Sequence, residues 1–196
     1  MKRFTDAGRS ALESENWYAA LSTALTLPDI ASSLEDPGPG KSQRRFVDWC
    51  RKWLEPEFTF ESGYPRESKI WFSAEDCYQA RCSIIHSGSA IIDERRRKEI
   101  ERFEFFSAGP HMNICGGSID DVPQPVFLQL RVDAFCNTMF DVIDRWDLAV
   151  KSDQAVQKEK ENLLVIRQPG VVINGIRFGQ NATDEQPRDP ESPLPS

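Results

Sequence analysis

Two side chains with the means to do chemistry stand five residues apart near the middle of this chain, Arg81 and His86. Both lie in the stretch from Ser73 to Gly88, Ser-Ala-Glu-Asp-Cys-Tyr-Gln-Ala-Arg-Cys-Ser-Ile-Ile-His-Ser-Gly. A guanidinium stays charged, and an unpaired charge in an apolar setting costs several kcal/mol. On a helical wheel of about 100° per residue, Cys77, Tyr78, Ala80, Cys82, Ile84 and Ile85 cover an arc of about 200°, and Arg81 falls inside it. Arg81 must therefore meet a carboxylate, an anion, solvent in a cleft or a second subunit. Its structural reading is a buried arginine paired with Glu75, Asp29 or another acid. His86 sits at the edge of the arc, in a stripe with Glu75, Gln79 and Cys82. Its structural reading is a helix C-terminal histidine in the field of the dipole.

The other motifs narrow the chemistry. His111, the second of two histidines, lies in a β-like loop and reads as incidental. The five cysteines, Cys50, Cys77, Cys82, Cys115 and Cys136, are scattered without a C-x-x-C pair, so they read as buried reduced thiols rather than a zinc site. No Gly-rich phosphate loop follows a strand, and no serine has the context of a nucleophile elbow. Arg95, Arg96, Arg97 and Lys98 form a basic run among Asp93, Glu94, Glu99 and Glu101, the pattern of a solvated helix face or of an RNA-backbone contact. Trp17, Trp49, Trp53 and Trp146 stand beside apolar neighbours and read as core rather than stacking platforms.

The elements that must position Arg81 and His86 read as mainly helical. Ser73 with Asp76 three places on marks a helix start, and Gly88 marks its end. A helix that apolar over half its circumference is expected to be largely buried. Phe4, Ala7, Ala11, Ser14, Tyr18, Leu21 and Leu25 predict one long helix over 5–27, with Pro28 opening a short new one to about Leu34. Residues 41–54 form an amphipathic helix and 132–151 another. Residues 58–69 read as loop. Short alternating runs at 102–106, 111–115 and 125–130 predict a small β-meander. The fold class is thus mainly α, a helical bundle with a small β-meander or hairpin appendage. The domain reading is 1–151 for the helical domain, with its β insertion at about 101–130. A linker with a β-hairpin or extended arm follows over 152–179, the hairpin turning at Pro169-Gly170. Residues 180–196 are an acidic, Pro-rich tail, expected to be disordered.

Composition bounds the partners. With 24 Lys and Arg against 31 Asp and Glu, the net charge is −7, and no global basic field favours non-specific nucleic-acid binding. No apolar run approaches the roughly 20 residues of a membrane span, and no signal-peptide pattern opens the chain, so a cytoplasmic protein is expected.

The spacing Arg81-Cys82-Ser83-Ile84-Ile85-His86, an R-x4-H on a helix in a mainly helical domain, resembles the ribonuclease members of the HEPN superfamily. The longer context also resembles a bacterial and phage family with no assigned activity: the central helix, a Phe-rich β segment, the helix through Phe135-Cys136 and a Gly/Val-rich arm. The resemblance implies a metal-independent endoribonuclease of toxin–antitoxin or phage-defence type that needs no cofactor. His86 would move a proton, and Arg81 would bind the scissile phosphate and stabilise its extra charge. The 2′-hydroxyl would be the nucleophile, giving a 2′,3′-cyclic phosphate and a 5′-hydroxyl. Where the family usually places a polar residue after the arginine, this chain has Cys82, which leaves Glu75 and Asp76 to orient the pair. Substrate contacts are implied for Asp76, Tyr78, Arg95, Arg96 and Arg97. Residues i and i+5 of an ideal helix point about 140° apart, so a homodimer is expected to unite the motifs across a two-fold axis. RNA or a nucleotide and an antitoxin or regulatory protein are the implied partners. The alternative is a non-catalytic HEPN-like module that binds nucleotide, RNA or a partner protein.

Overall fold

The computed structural model describes residues 1–62, 66–92, 100–119 and 122–179. The chain is mainly α with some β. It divides into one compact unit over Met1–Glu161 and a second over Asn162–Ser196.

The first unit begins with α1 (Lys2–Glu13) and α2 (Trp17–Glu35). The single helix expected over 5–27 is instead two. Glu15 takes a positive φ of 56°, and the Asn16 side chain accepts from the Ala19 N–H to start α2. The break resets the helical phase. The buried residues of α1 are Thr5 and Gly8 rather than Ala7 and Ser14, and Tyr18 is exposed. Pro28, expected to start a new helix, lies inside α2. Its missing N–H removes one backbone bond, and burial of Leu25, Leu27, Pro28, Ala31 and Leu34 carries the helix through.

The seam between α1 and α5 (Val132–Ala149) is close and polar. A Cβ on Gly8 would stand 2.2 Å from the Phe140 ring, so only glycine fits there. Thr5 Oγ1 donates to Asp144 Oδ1 at 2.8 Å, and Arg9 bonds Asp144 and Asp141, each at 2.8 Å. Helix α3 (Ser42–Trp53) buries Phe46, Val47, Trp49 and Cys50 as its pattern requires.

A short 3₁₀ turn (Glu55–Phe58) leads into β1 (Thr59–Ser62), which pairs antiparallel with β2 (Glu67–Ile70). The loop expected over 58–69 is therefore a hairpin. Every position of β2 is exposed, Ile70 included, which hides the alternation that identifies a strand. Phe72, fully buried, follows. Its ring meets those of Phe58, Phe103 and Phe135 at centroid distances of 5.2, 5.7 and 5.5 Å. This cluster fixes the entry to α4 (Ala74–Arg81).

Strands β3 (Arg102–Phe106), β4 (Asn113–Ile119) and β5 (Val122–Arg131) form one sheet in the order β3-β5-β4. It is not a meander. β5 pairs antiparallel with β4 but parallel with β3. The register slips between Cys115 and Gly117, where a Cβ on Gly116 would stand 2.9 Å from Val126. Helix α6 (Gln154–Lys160), capped by Asp153, closes the first unit.

In the second unit β6 (Val172–Ile173) and β7 (Ile176–Arg177) form a hairpin. It turns at Asn174-Gly175, both at positive φ, rather than at Pro169-Gly170. The expected tail over 180–196 lies outside the described residues. Among the described residues no helix is long and apolar enough to cross a membrane.

Candidate functional site

Ser73 and Asp76 set α4 in place by a reciprocal capping box. The Ser73 hydroxyl accepts from the Asp76 N–H at 3.1 Å, and Asp76 Oδ2 accepts from the Ser73 N–H at 2.9 Å. Glu55 adds a second cap by accepting from the Ala74 N–H at 2.9 Å. The helix buries Ala74, Cys77 and Ala80 against its neighbours α3 and α2. Contrary to the expectation of a largely buried stretch, Tyr78, Ile84 and Ile85 are only half-buried.

After Arg81 the helix widens into a single π turn, Cys82–His86, which rests against α2. Gly88, at φ 60°, ends it with its N–H bonded to the Ile84 carbonyl at 3.0 Å. The widening decides the geometry. A π turn closes i to i+5, so residues five apart come together as residues four apart do on an α-helix. Arg81 Nη1 and His86 Nε2 lie 2.5 Å apart within one chain. The divergence of about 140° belongs to an ideal α-helix and is corrected here by the π turn; no second copy is needed to bring the two side chains together.

Arg81 Nη2 donates to Asp29 Oδ2 of α2 at 2.6 Å, and the two side chains are 21% and 25% exposed. The guanidinium thus bridges a half-buried carboxylate and an exposed imidazole. Arginine has only donors, so His86 Nε2 accepts and the neutral ring carries its proton on Nδ1.

The remaining expected site residues lie elsewhere. Glu75 pairs with Arg51 of α3 and does not meet Arg81, since six residues along an α-helix turn it about 120° away. Asp76 serves the cap and lines a separate cavity with Lys69, Trp71 and Ile114. Tyr78 packs its ring edge-on against Phe46 at 5.5 Å and faces a groove shared with Glu75, Arg44 and Arg51. Arg95, Arg96 and Arg97 lie outside the described residues. Asp29, whose acid sits directly after Pro28 on the apolar α2, is the member that sequence placed only as a structural partner.

The other polar groups have structural work. His111 Nδ1 accepts from the Arg131 backbone N–H at 3.1 Å, where β5 passes into α5. Burial, and then the nearby Arg131 charge, hold its pKa below the ordinary 6.5. Burial pushes the Cys50 thiol well above its ordinary value, with a hydrogen bond to Cys77 adding to it. Burial pushes Cys136 up to about 12. These thiols are protonated at neutral pH and poor nucleophiles. Cys82 and Cys115, expected to be buried, are half-buried. Among the described residues no group of three or more His, Cys, Asp or Glu could hold a metal ion.

Comparison with protein families, with curated proteins and with solved structures finds no match to this chain.

Proposed function

We propose that Asp29, Arg81 and His86 form the site of a metal-independent endoribonuclease that cleaves by attack of the 2′-hydroxyl. The observation that carries this reading is the contact between Arg81 and His86 inside one chain, built by a π turn and anchored on Asp29. π turns are uncommon in helices and concentrate at functional sites.

In the resting chain the imidazole lone pair is engaged by Arg81. A phosphodiester seated at the guanidinium competes for that N–H and releases His86 Nε2. The freed nitrogen takes the proton of the 2′-hydroxyl as O2′ attacks phosphorus. The P–O2′ bond forms, the P–O5′ bond breaks, and the leaving oxygen regains a proton from the imidazolium. Arg81 balances the charge that gathers on the phosphoryl oxygens, and Asp29 holds the guanidinium in place. The helical-bundle architecture, the HEPN relationship, a cytoplasmic setting and an antitoxin or regulatory partner belong to the same proposal. Homodimerisation stays in it as an assembly. Because the pair converges within one chain, the cleavage rate per protomer should not depend on dimer formation.

The test is incubation of RNA with the protein in excess chelator, followed by analysis of the ends. The proposal expects 2′,3′-cyclic phosphate and 5′-hydroxyl ends, lost in His86→Ala with the thermal transition unchanged. Cleavage that persists in His86→Ala removes His86 from the site.

A second reading has its own observation. The Arg81–Asp29 pair alone gives the arginine a structural role, and a non-catalytic module binding nucleotide, RNA or a partner protein would keep it. Nucleotide binding weakened by Arg81→Ala, in a parent protein with no turnover, favours that reading.

A further inference from the structure

The second unit presents an apolar surface that stays open among the described residues. From 162 to 179, nine of eighteen residues are Leu, Val, Ile or Phe, and the charged ones are Arg167 and Arg177, with no acid. In the hairpin, Ile173 of β6 stands opposite Ile176 of β7, and Val172 stands opposite Arg177. Directly opposed residues share a face, and successive residues of a strand alternate between faces. Val171, Ile173, Ile176 and Phe178 therefore make one face without a polar side chain, and Val172 and Arg177 lie on the other. The apolar face is exposed, Ile176 at 60% and Phe178 at 50%. Just before the hairpin, Leu164 and Ile166 are 73% and 88% exposed.

A hairpin of this kind needs a cover. Its strands are two residues long and, among the described residues, pair only with each other. Two further bonds close its base, from the Gly170 N–H to the Phe178 carbonyl at 2.8 Å and from the Phe178 N–H to the Val171 carbonyl at 3.0 Å. A lone two-stranded hairpin is marginal in water and becomes stable when its apolar face is packed. A second copy of the same face matches it. Two sheets stack about 10 Å apart with their inner side chains interdigitated, and a two-fold axis sets one patch against itself. Pairing edge to edge would lengthen the sheet and leave both apolar faces in water. Charge favours the stack too. Arg177 lies on the outer face of each copy, so stacking brings no like charges together there. An acidic partner drawn to Arg177 would meet that outer face and leave the apolar one open. With Leu164 and Ile166 included, covering these residues removes roughly 700 Å² per copy, near the roughly 800 Å² that each partner gives to a standard interface.

We infer that the second unit is a dimerisation arm, in which Val171, Ile173, Ile176 and Phe178 pack on the same four residues of a second copy of this chain. The surface is distant in sequence from Arg81 and His86, and the inference stands without the ribonuclease proposal.

The test is sedimentation equilibrium of the full chain at micromolar concentration. The inference expects a dimer. Ile176→Asp, on the apolar face, should raise its dissociation constant about a hundredfold or more, because the two-fold axis repeats the change and each copy contributes about a factor of ten. Val172→Asp, on the outer face of the same hairpin, should leave the constant within about threefold. Phe178→p-benzoylphenylalanine, irradiated in a mixture of ¹⁴N- and ¹⁵N-labelled chains, should join residues 162–179 of one copy to residues 162–179 of the other. A monomeric parent overturns the inference. So does a dimer that Ile176→Asp leaves intact, or one that both aspartates weaken alike. A cross-link to residues 1–161 of either copy overturns it as well, since that is the result for an arm that packs on a first unit. No RNA is present in the assay, so failure of the nuclease proposal does not affect its outcome.

Discussion

Arg81 has two partners with different purposes, Asp29 and His86, and substitution separates them. The pair with Asp29 is neither fully buried nor surface-exposed, so its coupling in a double-mutant cycle of Arg81→Ala with Asp29→Asn should be about 1–2 kcal/mol, between the values for exposed pairs and for buried charged hydrogen bonds. Urea unfolding measures it; additive single effects would show that Asp29 does not hold the guanidinium. Arg81→Lys keeps the charge but has one compact ammonium where the fork reaches both Asp29 and His86. It should retain most of the stability and lose most of any cleavage. The need of Arg81 for a counter-charge was legible from its apolar neighbours. Its meeting with His86 was not, because a wheel drawn at about 100° per residue contains no π turn. Glu75 was misplaced by its nearness in sequence, which says nothing about which helix face it shares.

At the scale of elements, the π turn and the α1–α5 seam carry the consequences. Deleting Ser83 sets the arginine and histidine four apart, and the segment can then return to α-helix with the pair still side by side. Adding one alanine after Ser83 should separate them. The two variants should therefore differ sharply in cleavage at similar stability, and equal activity would mean that the turn is not what aligns the pair. In the seam, Gly8→Ala drives a methyl into the Phe140 ring and should cost about 1–3 kcal/mol in urea unfolding. Helices α3 and α5 were legible because their apolar faces keep one phase along their length. The break at Asn16 was missed because apolar residues on both sides happen to continue a three- and four-residue rhythm. The β1–β2 hairpin was missed because β2 is exposed throughout. The parallel pairing of β3 with β5 is a long-range choice that no local pattern records.

For the molecule as a whole, acid should act in two stages. The folded chain holds the His111 pKa below 6.5, so the unfolded chain binds more protons once the pH falls under that value. Stability should decline from about pH 6.5 downward until His111 titrates in the folded state, and His111→Gln should flatten that stage. Asp147 enters later. Burial by itself would push its carboxyl up, but hydrogen bonds from Lys160 and the Met1 ammonium outweigh it and hold the carboxyl below its ordinary 3.8. Its contribution is present above that value and is lost as the pH falls through the folded-state value. Urea midpoints between pH 8 and 3 follow both stages; a flat profile between pH 7 and 5 would contradict the first. The central claim concerns one phosphodiester and one 2′-hydroxyl, and a DNA strand carrying a single ribonucleotide isolates them. Incubated in chelator, it should be cut only on the 3′ side of the ribonucleotide, leaving a cyclic phosphate there, while all-DNA and the His86→Ala reaction stay intact. An uncut strand, or cutting of the all-DNA control, contradicts the account.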